Sequence, residues 1–128
     1  MKARSAALIF AFLIGVVSLF QLALALGAPW GRVAMGGTFP GVYPAPMRAA
    51  ALVQIGLLAV MAMVVLSRAG VALRAWRARS RGLVWGVVVL AGVAVVLNLI
   101  TPSPLERLIW APVAVVLFLT AVRVAVSR

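Results

Sequence analysis

The chain contains no cysteine and no histidine, and Glu106 is its only acidic residue. These absences exclude disulfides, the usual zinc sites and a thiol nucleophile, and they leave no pair of carboxylates for acid–base catalysis. A Ser–His dyad and haem ligation by histidine are excluded for the same reason. We therefore predict that the protein is not an enzyme, and that it holds no metal and no cofactor.

Apolar residues dominate what remains, since 66% of the chain is hydrophobic and only 10% is charged. Soluble domains are about half apolar and about one quarter charged. Four apolar stretches have about the 20 residues that a membrane-spanning helix needs, and none alternates as the strands of an outer-membrane barrel do. The sequence predicts an all-α membrane protein, in which a single domain, 1–128, forms an up-down bundle of four transmembrane helices. The predicted helices are about 6–26, 49–67, 83–100 and 105–126.

The first stretch also has a second interpretation. Lys2 and Arg4 precede it, and Ala23-Leu24-Ala25 resembles the small-residue cleavage site of a secretory signal. Signal cores are typically about 7–15 residues long, and this run is longer. The length favours an uncleaved first helix, with a signal peptide as the alternative.

The distribution of basic residues predicts the orientation, because cytoplasmic loops are enriched in Lys and Arg. With the first residue in the cytoplasm, nine of the twelve basic residues lie on the cytoplasmic side. We therefore predict a multi-pass protein of the cytoplasmic (inner) membrane with both termini in the cytoplasm. This imbalance argues against the dual-topology insertion of small multidrug exporters and fluoride channels. The nine are Lys2, Arg4, Arg68, Arg74, Arg77, Arg79, Arg81, Arg123 and Arg128, and the other three are Arg32, Arg48 and Arg107.

The outer loop, 27–47, contains five glycines and four prolines, which favour a succession of tight turns. Large apolar side chains lie between the turns, which is unusual for a freely solvated linker. We expect this loop to fold back as a cap on the bundle or to meet a partner there, with Trp30, Phe39 and Tyr43 as contact residues. The alternative is an irregular loop at the lipid interface, where Trp and Tyr are common.

The cytoplasmic loop, 67–82, is short and basic. Arg74, Arg77, Arg79 and Arg81 are candidates for contact with anionic lipids, at about 1 kcal/mol for each arginine. The interpretation that we favour is that these arginines only determine topology. No nucleic acid is expected as a partner, because the basic run is short and lies against the bilayer.

The start of the fourth helix explains the single acid. Ser103 and Glu106 form the S-x-x-E pattern of a capping box, with Pro104 at the first helical position. A cap of this kind stabilises a helix by on the order of 1 kcal/mol. Glu106 therefore needs no catalytic role.

Polar residues within the apolar stretches share one depth in the outer leaflet. Two interpretations compete: hydrogen bonds between helices, which we favour, or a polar pocket that opens outward. Small residues at Gly82 and Gly86 fit close helix packing, either within the bundle or in a homo-oligomer. The predicted polar cluster consists of Gln21, Gln54, Asn98, Glu106 and Arg107.

The outer loop also carries a resemblance. It is similar to that of small, uncharacterised four-helix membrane proteins of high-GC bacteria, a likeness that covers the loop and its two flanking helices. The resemblance implies fold and location but no activity. The residues that carry it are Pro29-Trp30-Gly31, Gly36-Gly37, Pro40-Gly41, Pro46 and Arg48.

These observations lead to two hypotheses of function. The first is a non-enzymatic accessory or interaction protein that binds a membrane-protein partner through its outer cap. The second is a binder or transporter of a small solute that uses the polar cluster.

Overall fold

The computed structural model describes residues 1–128 and contains four long α-helices and no strand. Each helix has 22 to 24 residues. At 1.5 Å per residue these helices are about 33–36 Å long, enough to cross a hydrocarbon core of about 30 Å. The protein is an all-α bundle in which every helix is long and apolar enough to span a membrane. The helices are α1 (Ala3–Ala25), α2 (Ala45–Arg68), α3 (Arg77–Ile100) and α4 (Pro104–Ala125).

All four helices begin earlier than the sequence predicts, and the difference is largest for α2 and α3. Helix α2 begins at Ala45 instead of near residue 49, and α3 begins at Arg77 instead of near residue 83. Hydropathy marks where a chain becomes apolar, so it misses a polar first turn. Pro46 fits the first turn because its missing N–H has no partner there, and arginine is a good helix former. Three of the four loop arginines therefore belong to α3.

The connections contain short 3₁₀ turns. Two of them, Gly31–Val33 and Met35–Gly37, lie between α1 and α2, and a third, Arg74–Trp76, lies between α2 and α3. The turn from α3 to α4 has only three residues, 101–103. Consecutive helices are antiparallel: the connections 69–76 and 101–103 are too short to run the length of a helix, and Arg48 in the first turn of α2 bonds to Ala25 at the end of α1.

The largest buried cluster joins all four helices. Phe10, Val65, Val84 and Val124 are the largest of its fully buried side chains, one from each helix. Helix α3 packs most extensively on α4, and α1 on α2, whereas α2 and α3 contact each other less. This weaker contact leaves a groove between α2 and α3.

Charged residues lie near the two ends of the bundle, and the surface between them is mainly apolar. We call the end that holds residues 1–2, 69–76 and 126–128 the basic end, and the end that holds 26–44 and 101–103 the cap end. At the basic end, Arg123 Nε donates to the carbonyl oxygen of Met1 at 2.7 Å, and Arg68 donates to that of Ser127. The first and last residues therefore lie together.

Candidate functional site

Glu106 is the centre of a hydrogen-bond network at the cap end. It occupies the third position of α4, where the Ser103 Oγ caps the helix by accepting the Glu106 N–H at 3.3 Å. Its carboxylate is buried, with 8% of the residue exposed. One oxygen, Oε2, accepts the Gly36 N–H and the Thr101 hydroxyl, each at 2.9 Å. The only acid of the chain thus joins the outer loop to the start of α4.

The capping box is only half formed. Ser103 caps the helix as predicted, but the carboxylate does not return to the Ser103 N–H. That N–H donates instead to Thr101 Oγ1 at 3.3 Å, which frees the Glu106 carboxylate for the loop. The sequence pattern identified the cap but could not identify Gly36 as the partner, because 70 positions separate the two residues.

Glycines allow the loop to approach the turn at 101–103. Gly36 has φ +68°, and a Cβ there would lie 3.2 Å from Cδ of Pro102. A Cβ at Gly31 would overlap the carbonyl oxygen of Phe39, and the Gly31 N–H donates to the Gly41 carbonyl oxygen at 2.9 Å. The two glycines therefore supply close backbone contact in addition to turns.

Three further hydrogen bonds attach the loop and its neighbours. The Ser103 hydroxyl donates to the Arg32 carbonyl oxygen at 2.8 Å, and Arg48 Nε donates to the Ala25 carbonyl oxygen at 2.9 Å. Arg107 donates to the Thr101 carbonyl oxygen at 2.7 Å and so stabilises the α3–α4 turn. The segment 26–44 connects α1 to α2 and is hydrogen-bonded to the start of α4 through Gly36 and Arg32, and we call it the cap.

Aromatic side chains divide into an inner and an outer set. Tyr43 is 4% exposed and packs with Leu24 and Ala34, while the partly buried Phe39 meets its ring edge-on at 6.0 Å. Burial raises the pKa of the Tyr43 phenol, and the negative charge of Glu106 adds to the effect. Of the three predicted contact residues, Phe39 and Tyr43 therefore hold the cap together, and only Trp30 faces outward.

Trp30 is 50% exposed and lies beside helix α1. Its ring is parallel to that of Phe20, with centroids 6.3 Å apart, and Phe20 also contacts Trp110 at 4.7 Å. One face of Trp30 is therefore fixed by the bundle while the rest remains accessible. Three other exposed apolar residues of the cap, Leu26, Met35 and Val42, were not among the predicted contact residues, because exposure depends on the fold.

The predicted polar cluster is not formed. Gln54 is exposed on the lipid-facing surface, Asn98 donates to the Ala94 carbonyl oxygen of its own helix at 2.7 Å, and Gln21 has no hydrogen-bond partner. No hydrogen bond joins these amides to one another or to Glu106, and Arg107 makes no ion pair with that acid. The structure therefore supports neither the interhelical hydrogen bonds nor the polar pocket.

The four arginines of the cytoplasmic-loop prediction have unpaired side chains at the basic end. Arg74, Arg77, Arg79 and Arg81 are exposed and have no hydrogen-bond partner within the chain. The only acid lies at the opposite end of the bundle. These four cations are available to anionic groups outside the protein.

Comparisons with known proteins give no identification. No family model, curated protein or solved structure matches the chain.

Proposed function

We propose that the protein is a non-enzymatic component of the inner membrane that presents its cap to a membrane-protein partner on the outer side. The support comes from the cap itself, which is tied to three helices yet leaves large apolar side chains exposed. A surface of this kind differs from a flexible loop because the conformational entropy of its backbone is already lost before binding.

Trp30 and Val42 form the centre of the proposed contact. They flank the hydrogen bond from the Gly31 N–H to the Gly41 carbonyl oxygen, so their backbones lie side by side. Trp30 is 50% exposed and Val42 is 55% exposed. Tryptophan is enriched among the few residues that dominate binding energy at protein interfaces. This paired exposure is the observation that carries the proposal.

Met35 adds a second feature to the surface. It is 55% exposed and has φ +50°, a left-handed conformation that is unfavourable for a residue with a side chain. Backbone strain of this kind is concentrated at functional positions. A glycine at this position would relieve the strain. The presence of methionine instead supports a role for its side chain in contact with the partner.

The proposed orientation places the cap outside and the basic end in the cytoplasm. It follows from the nine basic residues at the basic end and the three at the cap end. In this orientation the unpaired arginines face the leaflet that carries negative surface potential.

Site-specific photocrosslinking tests the partner. A benzophenone amino acid replaces Trp30, and a matched control replaces Phe12, an exposed aromatic residue on the lipid-facing side of α1. In native membranes, irradiation should yield a discrete protein adduct from position 30 and only lipid adducts from position 12. If position 30 also yields only lipid adducts, the cap lies in the interface without a partner and the proposal is wrong.

A further inference from the structure

An apolar groove lies between α2 and α3, in the half of the bundle next to the basic end. Its volume is about 480 Å³, and eight of its nine lining residues are hydrophobic. The walls include Leu57, Met61 and Val64 of α2, and Leu83, Gly86 and Leu90 of α3. Because Gly86 has no side chain, the wall is open there: a Cβ at this position would meet no atom within 4 Å.

The groove lies within one leaflet. Leu83 lies about 6 Å and Leu90 about 16 Å along the helix axis from Arg79, at 1.5 Å per residue. Half of a hydrocarbon core is about 15 Å. The groove therefore begins about one turn beyond Arg79, is about 10 Å long and ends near the middle of the bilayer, within the depth that one acyl chain occupies.

Arg79 lies on the same face of α3 as the groove. Leu83, Gly86 and Leu90 follow it by 4, 7 and 11 residues, spacings that keep side chains on one helix face. Arg79 is exposed and has no partner in the chain. An unpaired cation thus stands one turn beyond the end of an apolar groove.

We propose that this groove binds an anionic phospholipid, with one acyl chain between α2 and α3 and the phosphate at Arg79. Both the shape and the charge of the site fit this lipid. An acyl chain can bind in an apolar groove within one leaflet, and the phosphate of the headgroup can bind the cation at the end of that groove. A second groove lies between α3 and α4 at the cap end, but its only cation, Arg107, already donates to the Thr101 carbonyl oxygen.

Native mass spectrometry of the purified protein tests the proposal with two lipids that share the same acyl chains, phosphatidylglycerol and phosphatidylcholine. The wild-type protein should retain phosphatidylglycerol about fivefold better, the effect of one juxtamembrane arginine. Arg79→Gln should abolish this preference. Arg81→Gln is the control, because Arg81 is equally exposed but rotated by about 200° around the helix.

Two glycine variants test the groove itself. Gly86→Leu should fill it and lower the retention of both lipids several-fold. Gly82→Leu should not, since Gly82 is one turn away, is equally open and does not line the groove. Circular dichroism and size-exclusion chromatography establish that both variants fold.

Three results would overturn the proposal. One is an equal loss of preference in Arg79→Gln and Arg81→Gln, which indicates a diffuse charge effect. Another is unchanged lipid retention in folded Gly86→Leu. The third is a wild-type dimer that Gly86→Leu dissociates, because a second copy of the chain would then occupy the groove.

Discussion

Glu106 Oε2 accepts the backbone N–H of Gly36 at 2.9 Å, although the two residues are 70 positions apart. This contact joins the outer loop to the first turn of α4. Hydrogen bonds to a charged group stabilise proteins by about 1.5–3 kcal/mol, more than neutral ones. The cap therefore depends on the only negatively charged side chain.

Replacement of Glu106 should loosen the cap. We expect Glu106→Ala to lower the free energy of unfolding by about 2 kcal/mol, because the Gly36 N–H and the Thr101 hydroxyl lose their acceptor. Glu106→Gln retains an oxygen at that position and should lose about half as much. Detergent-titrated unfolding in mixed micelles measures both. Equal stability of Glu106→Ala and wild type would show that the contact contributes nothing.

The approach of the loop to the α3–α4 turn should be sensitive to a single methyl group. Gly36→Ala combines a positive φ with a Cβ that would lie 3.2 Å from Pro102, so we expect a loss of about 1–3 kcal/mol. Gly70→Ala is the matched control: its φ is +74°, close to that of Gly36, but the nearest atom to the added Cβ lies 3.9 Å away, on Arg77. The same unfolding assay should therefore show a smaller loss for Gly70→Ala, and the reverse order would contradict the proposed close contact.

Tyr43 should titrate above its ordinary pKa of 10.0, because burial and the nearby negative charge of Glu106 disfavour the phenolate. Since the folded-state pKa is raised, the corresponding stability is present below about pH 10 and is lost as pH rises through the folded pKa. The chain has a single tyrosine, so tyrosinate absorbance reports this group alone. A midpoint at or below 10.0 in the folded protein would exclude burial of the phenol, and Tyr43→Phe should remove the alkaline loss of stability.

The amides within the spans should be dispensable. Gln54 is exposed, and Asn98 bonds only to its own helix, so the double variant Gln54→Leu, Asn98→Leu should unfold within about 0.5 kcal/mol of wild type. Detergent-titrated unfolding measures this, with Glu106→Ala as the variant for comparison. A loss of several kcal/mol in the free energy of unfolding would indicate that these amides form hydrogen bonds between helices, contrary to the structure.

Cysteine labelling can establish the orientation, because the chain has no native cysteine to interfere. Thr38→Cys in the cap and Ala78→Cys in the first turn of α3 are both exposed positions. In intact cells a membrane-impermeant maleimide should label position 38, and position 78 only after the membrane is permeabilised. The opposite pattern would place the cap in the cytoplasm.

The number of helices was accessible from the sequence because hydropathy is a local property. The start of α3 was displaced by a polar first turn at Arg77, which hydropathy does not register, and the start of α2 by Pro44 and Pro46, which favoured a loop up to residue 47. The sequence could not predict that Trp30 is exposed whereas Tyr43 is buried. Both are aromatic residues of one glycine- and proline-rich loop, and only the packing of that loop distinguishes them.

The sequence by itself determined that the chain forms four helices able to span a membrane, and it showed a strong charge difference between the two ends, since both features depend on composition along the chain. Only the tertiary structure decided that Glu106 binds Gly36, that the amides stay apart and that α2 and α3 leave a groove below Arg79. The physical reason is that these helices are apolar on nearly every face. Their sequences carry little periodic signal for rotation about the helix axis, and that rotation decides which side chains meet.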